Sequence, residues 1–364
     1  MKRGMKRNLQ GLQWRRLKTR EDFFKKLTWI KVIIDLKNVV SDPRVAKILT
    51  ALCYGAIRLD KEISLSDTGG GHRLPVGLNS DGDSQKQLDV IADDIFYSSL
   101  EAAGVGFYVS EEREAIEMLN NNDDLGVAID PLDGSSNIDC NVSIGTIFSI
   151  KKVKNKSRPQ DDFFLLGNYL ASGYFIYGPQ TLLVFTVGNG IVKFLLDVKD
   201  NQFVSVKSDL KIPEQTQEYA INSSNSRYWP TPVRSYIEEL IDGAVGPRKK
   251  NYNTRWVASL VAETHRILER GGVFLYPGDD REGYSEGRLR KIYECGPIAY
   301  LIEQALGLAT NGIEPIVGLT AENLHQRTPF VFGSKEEVET IKKFYEDPKS
   351  AHTPLFRTRG LFNR

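Results

Sequence analysis

Apolar positions recur with a helical period from about residue 31 to residue 62, broken near Ser41-Asp42-Pro43. Val45, Ile48, Leu49 and Leu52 fall at i, i+3, i+4 and i+7. They predict one buried face on a helix starting at Pro43, where the missing N–H of proline costs no helical bond. Residues 66–83 lose the period, carry Gly69, Gly70, Gly71, Gly77 and Gly82, and predict a mobile loop. The helical period returns after Gln85 with Leu88, Ile91, Ala92 and Ile95. Gly106 to Ser110 and the continuous apolar run Leu125-Gly126-Val127-Ala128-Ile129 predict buried strands. Segments 143–151, 169–177, 181–187 and 192–196 alternate or run apolar, with turns at Gly178-Pro179 and Gly188-Asn189-Gly190, and predict a largely antiparallel sheet. After Ile212-Pro213 both periods alternate. Val233, Tyr236, Ile237, Leu240 and Ile241 form one helical stripe, and Val257, Leu260, Val261 and Leu268 another. A strand is predicted over 272–276, and Ile298, Leu301, Ile302 and Ala305 mark a further helix.

The chemistry concentrates at Asp130-Pro131-Leu132-Asp133-Gly134-Ser135-Ser136-Asn137, directly after a predicted buried strand. Two carboxylates three residues apart on a tight turn offer hard oxygen ligands suited to Mg²⁺. Gly134, Ser135 and Ser136 can open a helix whose free N–H groups suit a phosphate. Metal and phosphate together point to metal-assisted phosphoryl transfer. Other acids sit at element ends: Glu111-Glu112 after a strand, Glu294 after Leu289-Arg290-Lys291-Ile292-Tyr293, Asp83 at the end of the glycine-rich loop, and Asp89 on the polar face of the next helix. Two or three Mg²⁺ need several carboxylates, and one must stay off the metals to accept the proton of an attacking water.

Composition narrows the setting. The 364 residues suffice for one large or two ordinary domains, and a net charge of +1 offers no global field for nucleic acid. The first 20 residues nevertheless hold eight Lys or Arg and no acid, which reads as a solvated arm over 1–26; contact with an anionic partner is the other reading. No apolar run approaches the ~18–20 residues that span a bilayer, and the N-terminus lacks a secretory apolar core. Cys53, Cys140 and Cys295 have no CxxC spacing and fit a reducing, cytoplasmic compartment.

The stretch DPLDGSSNIDCNVSIGTI from Asp130 to Ile147 resembles the metal-site signature of class I fructose-1,6-bisphosphatases, within the lithium-sensitive sugar and inositol phosphatases. The similarity runs from about Leu27 to Tyr345. It includes Asp83-Ser84-Gln85-Lys86-Gln87-Leu88-Asp89, Ser110-Glu111-Glu112, Gly271 to Pro277, Gly287-Arg288-Leu289-Arg290, Tyr293-Glu294-Cys295 and His325-Gln326-Arg327. The resemblance implies an α/β protein with a layered αβαβα sugar-phosphatase fold, usually a homotetramer, hydrolysing the 1-phosphate of fructose 1,6-bisphosphate. It implies two or three Mg²⁺ per subunit, with Mn²⁺ able to substitute, held by Glu111, Glu112, Asp130, Asp133, Glu294 and the Leu132 carbonyl. Asp89 and Glu112 would activate water, with Asp83 joining from its loop. Gly134, Ser135 and Ser136 would hold the 1-phosphate, with Arg290 nearby. Asn222, Tyr276, Arg288 and a neighbouring subunit's copy of Arg255 would hold the sugar and its second phosphate. With the composition shift near Ala220 as the boundary, the expected organisation is a metal domain over 27–219, a sugar-phosphate domain over 220–346 and a tail over 347–364; hydropathy and charge leave neither membrane nor nucleic acid as an expected partner.

Departures from the family pattern bear on regulation. Trp256 and Asn225 stand where animal members carry tyrosines, Arg288 where a Lys is common, and Cys295-Gly296-Pro297 and Ala305-Leu306-Gly307 differ near the site. Residues 223–229 are closer to bacterial and plastid relatives. Animal members bind inhibitory AMP through a Gly-Glu-x-Thr turn and a Lys-Tyr pair; here those positions read Pro43-Arg44-Val45-Ala46 and Asp124-Leu125, although Lys152 keeps one basic position. This predicts weak or absent AMP inhibition. Residues 153–162 contain no cysteine, which speaks against thiol control of the chloroplast type. The expected pathway is gluconeogenesis or the Calvin cycle. Two alternatives are sedoheptulose-1,7-bisphosphatase activity, alone or in addition, and a binding protein that keeps the fold without catalysis.

Overall fold

The computed structural model describes residues 36–65, 75–78, 84–206 and 210–347. The predicted basic arm, Asp83 and the tail beyond Asp347 lie outside them. Pro43 does open a helix, α1 (Pro43–Leu65), and Asp42 caps it by accepting the Arg44 N–H at 2.8 Å. Within the segment expected to be loop, β1 (Pro75–Leu78) pairs antiparallel with β2 (Ser84–Lys86). A strand of four residues that contains Gly77 and is stabilised by its backbone ladder leaves little apolar pattern to read. Helix α2 (Gln87–Ala102) follows.

The large sheet comprises β3 (Phe107–Ser110), β4 (Glu117–Met118), β5 (Leu125–Asp133), β6 (Ile144–Lys152), β7 (Tyr169–Tyr177), β8 (Leu182–Thr186), β9 (Val192–Asp197) and β10 (Gln202–Val206). Its order is β10-β9-β8-β7-β6-β5-β3-β4, antiparallel throughout except where β3 and β5 run parallel. The short helix α3 (Gln160–Phe164) lies between β6 and β7. The second sheet, ordered β12-β11-β13-β17-β15, starts at β11 (Glu218–Ala220). Around and between its strands come α4 (Thr231–Asp242), β12 (Asn253–Thr254), α5 (Leu260–Arg270), β13 (Val273–Tyr276), β14 (Leu289–Arg290), α6 (Gly296–Gln304), β15 (Leu308–Thr310), β16 (Arg327–Thr328), β17 (Phe330–Gly333) and α7 (Lys335–Glu346).

Strand alternation sorts the cores into layers. Val127, Ile129, Phe148, Ile150 and Phe175 pack with α1 and α2 on one face of the large sheet. Ala128, Ile147, Tyr174 and Ile176 face the other way, onto Val261, Ile267, Ile298 and Ile302 of α5 and α6. Phe274 and Phe332 close that middle layer from the second sheet. Val273, Leu275 and Val331, on the sheet's other face, meet α4 and α7 through Tyr236, Leu240, Val338 and Ile341. The result is helix, sheet, helix, sheet, helix, as expected. Each fully buried aliphatic or aromatic side chain contributes about 1.5–3 kcal/mol against exposure, so the doubly covered middle layer ties the two sheets together.

Two predicted stripes need correction. Ile241 is 68% exposed because Val233, Tyr236, Ile237 and Leu240 already cover the α4 face that meets the sheet. Val257 precedes α5, which starts only after its N-cap Ser259. Between α4 and α7, Glu337 is wholly buried and accepts hydrogen bonds from Tyr236 (2.7 Å), Tyr252 (2.9 Å) and Arg248.

Candidate active site

A β-bulge makes the acid cluster possible. Asp130 pairs with Ile147 and Asp133 with Gly145, so three steps on β5 match two on β6. In a regular strand, residues three apart point to opposite faces; the extra residue returns Asp133 to the side of Asp130. The loop is closed internally: Leu132 N–H donates to Asp130 Oδ1 (3.0 Å), and Thr146 Oγ1 donates to the Pro131 carbonyl (2.9 Å). Carboxylate oxygens of Asp130, Asp133 and Glu294 then lie within 4.8 Å of one another, all three residues buried.

Glu111 arrives by register. Ser110 stands opposite Ile129 in the parallel pair, and the Glu111 N–H continues it to the Ile129 carbonyl (3.1 Å), placing Glu111 alongside Asp130. Its Oε1 pairs with Arg290 Nη1 at 2.8 Å. Glu112, partly exposed in the following turn, donates its N–H to Ser110 Oγ (3.2 Å). Glu294 sits in a wide π-turn (Lys291–Cys295) directly after β14, and accepts the Arg290 N–H at 2.6 Å. Asp89 belongs to the first turn of α2 but is only 4% exposed; its expected place on a polar face is corrected to a buried one, on a helix packed against β5.

Asp133 is held from the far half of the chain. Ser259 Oγ (3.0 Å) and the Val261 N–H (2.8 Å), both at the start of α5, donate to its Oδ2. This requires α5 to lie almost on β6, where a Cβ at Gly145 would stand 2.6 Å from Val261 Cβ and from the Phe175 carbonyl. Gly134 has a left-handed φ of 74°, and a Cβ there would come within 3.0 Å of Ser259. Gly134 therefore turns the chain off β5 under the start of α5. The helix expected from Ser135 is a six-residue 3-10 turn, Ser135–Cys140, fastened by Asn137 Nδ2 to the Val257 (3.3 Å) and Ala258 (3.2 Å) carbonyls. Ser136 is exposed and Ser135 half-buried at its mouth.

The electrostatics are those of an acid cluster wanting a cation. Burial, then repulsion from Glu111, Asp133 and Glu294, raises the Asp130 carboxyl well above its usual range. Glu294 is pushed up to about 8 by burial and Glu111. Asp133 is raised by burial too, against the pull of its bonds to Val261 and Ser259. Among the described residues, the counter-charge facing these acids is Arg290. A hard divalent cation fits this all-oxygen donor set, since it would relieve the repulsion that burial amplifies.

The residues expected to hold the sugar sit at the end of the second sheet. Asn222 caps the 3-10 turn Ser223–Tyr228, and Tyr276 ends β13. Asn222, Asn225, Tyr276 and Asp279 line one small cavity. Trp256 lies flat on Phe274 (centroids 5.9 Å, planes 9° apart) and tilts against Tyr276 at 6.2 Å. Arg288 rests 4.7 Å from the Tyr284 ring centroid. Arg255 is exposed just past edge strand β12, its Nε 3.5 Å from Glu218 Oε1. The sequence reading missed Ser259 and Val261 as supports of Asp133, and Asp279, Arg281 and Tyr284 beside the cavity. The only local signal was the Gly-Asp-Asp and Glu-Gly turn composition around 278–287.

Comparison with known proteins identifies the family. Residues 36–208 match the family model for the fructose-1-6-bisphosphatase N-terminal domain, and residues 212–346 that for its C-terminal domain. A fructose-1,6-bisphosphatase class 1 of Rhodobacter capsulatus is 47% identical over 330 residues, covering 90% of this chain and 99% of the relative. One from a Bradyrhizobium species is 49% identical over 324 residues, covering 89% and 94%. The holo crystal structure of Leishmania major fructose-1,6-bisphosphatase superposes with a TM-score of 0.79 at 31% identity, covering 84% of this chain and 96% of that one. No helix among the described residues is long and apolar enough to cross a membrane. With both family domains matched in order and bacterial relatives near half identity, the chain belongs to the class I fructose-1,6-bisphosphatases.

Proposed function

We propose that this enzyme hydrolyses the 1-phosphate of fructose 1,6-bisphosphate with Mg²⁺, releasing fructose 6-phosphate and phosphate. The observation that carries the reading is the buried meeting of Asp130, Asp133 and Glu294 within 4.8 Å, beside the 3-10 turn that starts at Ser135. These acids, with Glu111, Glu112 and the Leu132 carbonyl, would hold two or three cations. When bound, the cations offset charge on the phosphoryl oxygens and supply the acidity that hydrolysis needs near neutral pH.

The chain's own groups do the rest. Gly134, Ser135 and Ser136 offer N–H and hydroxyl donors to the 1-phosphate. Arg290 holds Glu111 and Glu294 in place. Asp89 and Glu112 assist in drawing a proton from the attacking water, whose oxygen bonds to phosphorus as the bond to the sugar oxygen breaks and that oxygen takes up a proton to leave as a hydroxyl. Asn222, Tyr276 and Arg288 hold the sugar with its second phosphate, and Arg255, exposed beside an edge strand, reaches a neighbouring subunit of a homotetramer. Arginine suits this task because its planar fork pairs two phosphate oxygens at once.

Purified protein given fructose 1,6-bisphosphate and Mg²⁺ should release one phosphate per sugar. Chelation should stop release, and Asp133→Asn should abolish it with the circular dichroism spectrum intact. No release from the wild type with either Mg²⁺ or Mn²⁺ would overturn the reading. Sedoheptulose 1,7-bisphosphate assayed in parallel sets the substrate range. Size-exclusion chromatography with light scattering tests the tetramer.

A further inference from the structure

Asp279, which lines the small cavity with Asn222, Asn225 and Tyr276, anchors a clamp that the family resemblance does not assign. Arg281 forks onto the buried carboxylate of Asp279, with Nε 2.9 Å from Oδ1 and 3.1 Å from Oδ2, and Nη2 also on Oδ2. The same guanidinium lies between two rings, 4.8 Å from the Tyr228 centroid and 4.0 Å from that of Tyr284. Tyr228 ends the 3-10 turn capped by Asn222; Tyr284 belongs to the facing loop. Arg281 therefore ties the 3-10 turn to the loop that follows Asp279, two segments whose neighbouring residues Asn225, Trp229 and Asp279 line the cavity.

Tyr284 also carries Arg288, 4.7 Å from its ring centroid. Two guanidiniums thus share one aromatic ring, an arrangement that like charges tolerate here because Asp279 offsets Arg281. The loop is locked around this ring by its backbone: Asp279 N–H donates to the Tyr284 carbonyl (3.0 Å), Tyr284 N–H to the Arg281 carbonyl (3.0 Å), and Gly287 N–H to the Tyr284 carbonyl (3.0 Å). Tyr276, in the cavity wall, is within electrostatic reach of Glu294 and also of Arg288 and Arg281, so the arginine pair and one acid of the cluster both act on this ring.

We propose that Arg281 and Tyr284 are positioning residues for the uncleaved phosphate monoester of the substrate: Arg281 pins the loop beside the cavity, and Tyr284 aims Arg288 at that phosphate. The inference rests on the bisphosphatase reading above and extends it to residues 279–288.

The test uses full-length Arg281→Ala, Arg281→Lys, Tyr284→Ala and Tyr284→Phe with saturating Mg²⁺. Arg281→Ala and Tyr284→Ala should raise KM for fructose 1,6-bisphosphate roughly tenfold, as loss of one well-placed contact does, with kcat kept within about twofold. Tyr284→Phe keeps the ring and should match the wild type. Arg281→Lys keeps charge without the flat fork and should fall between. Binding of fructose 6-phosphate, measured by calorimetry, should weaken in step with KM, whereas inhibition by inorganic phosphate at the cleaved end should not change. An unaltered KM in both alanine variants would overturn the proposal, as would kcat falling as much as KM rises. Should an alanine variant not fold, Arg281→Lys against the wild type decides by the same KM criterion. A wild type that releases no phosphate sinks the bisphosphatase reading instead; fructose 6-phosphate calorimetry still tests the clamp.

Discussion

The Val261 N–H donates to Asp133 Oδ2 across 2.8 Å, joining residues 128 positions apart. A helix start in the C-terminal half thus sets the direction of a carboxylate in the N-terminal half, and Ser259 contributes twice. Its hydroxyl donates to Asp133 and accepts the Ala262 N–H as the N-cap of α5. Ser259→Ala should cost about 0.5–2 kcal/mol of stability through the lost cap. It should also weaken cation binding, because Asp133 loses a partner that orients it. Urea denaturation and a Mg²⁺ titration of activity measure the two effects separately; a stable variant with unchanged Mg²⁺ dependence would show that Val261 alone suffices.

How much of this was legible beforehand differs by residue. Asp130 and Asp133 announced themselves because a buried strand, a turn and two acids stand in one short stretch. The role of α5 could not be read, since the contact of Ser259 with Asp133 spans 126 positions and leaves no local pattern. Asp89 was misplaced for a physical reason: helical periodicity treats an acid as solvent-facing, while tertiary packing buries this one beside β5. The bulge that brings Asp133 around is likewise a property of two strands, invisible in either alone.

AMP should inhibit weakly or not at all. Arg44 Nη1 lies 2.7 Å from Asp124 Oδ1, and Lys152 Nζ lies 3.4 Å from Asp124 Oδ2, so the acid engages both cations at the positions that the family resemblance links to a nucleotide phosphate. A phosphate there would have to displace Asp124 and approach its charge. Potent, cooperative inhibition on AMP titration would contradict this.

Stability should rise with pH above neutrality through Lys151. Its ammonium, 3% exposed, donates to the Asp162 (2.9 Å) and Leu165 carbonyls and lies 4.6 Å from the Tyr169 ring centroid. Burial lowers its pKa from 10.5 to about 7. Between those values the unfolded chain holds a proton that the folded chain has released, so raising the pH favours folding by at most about 1.4 kcal/mol per pH unit. Below about pH 7 both states are protonated and the dependence vanishes. The difference in unfolding free energy between wild type and Lys151→Met should therefore grow from about pH 7 to pH 9. A flat difference would place the titration elsewhere.

Glu337→Ala should destabilise the second sheet's outer layer by about 3–5 kcal/mol, the usual effect of removing one partner from a buried pair. It strips Arg248, Tyr236 and Tyr252 of a shared acceptor at once. Activity per folded molecule should persist, because α7 packs on the face of that sheet away from the acid cluster. Parallel urea melts and assays below the transition check both halves of the expectation.

The doubly covered middle layer also bears on synthesis. While the chain emerges from the ribosome, Ile147, Tyr174 and Ile176 are made before the α5 and α6 residues that roof them. Until residues 260–304 are free of the exit tunnel, the nascent polypeptide carries a finished sheet with one greasy side open to the cell, and it is at this stage that chaperones would find a grip.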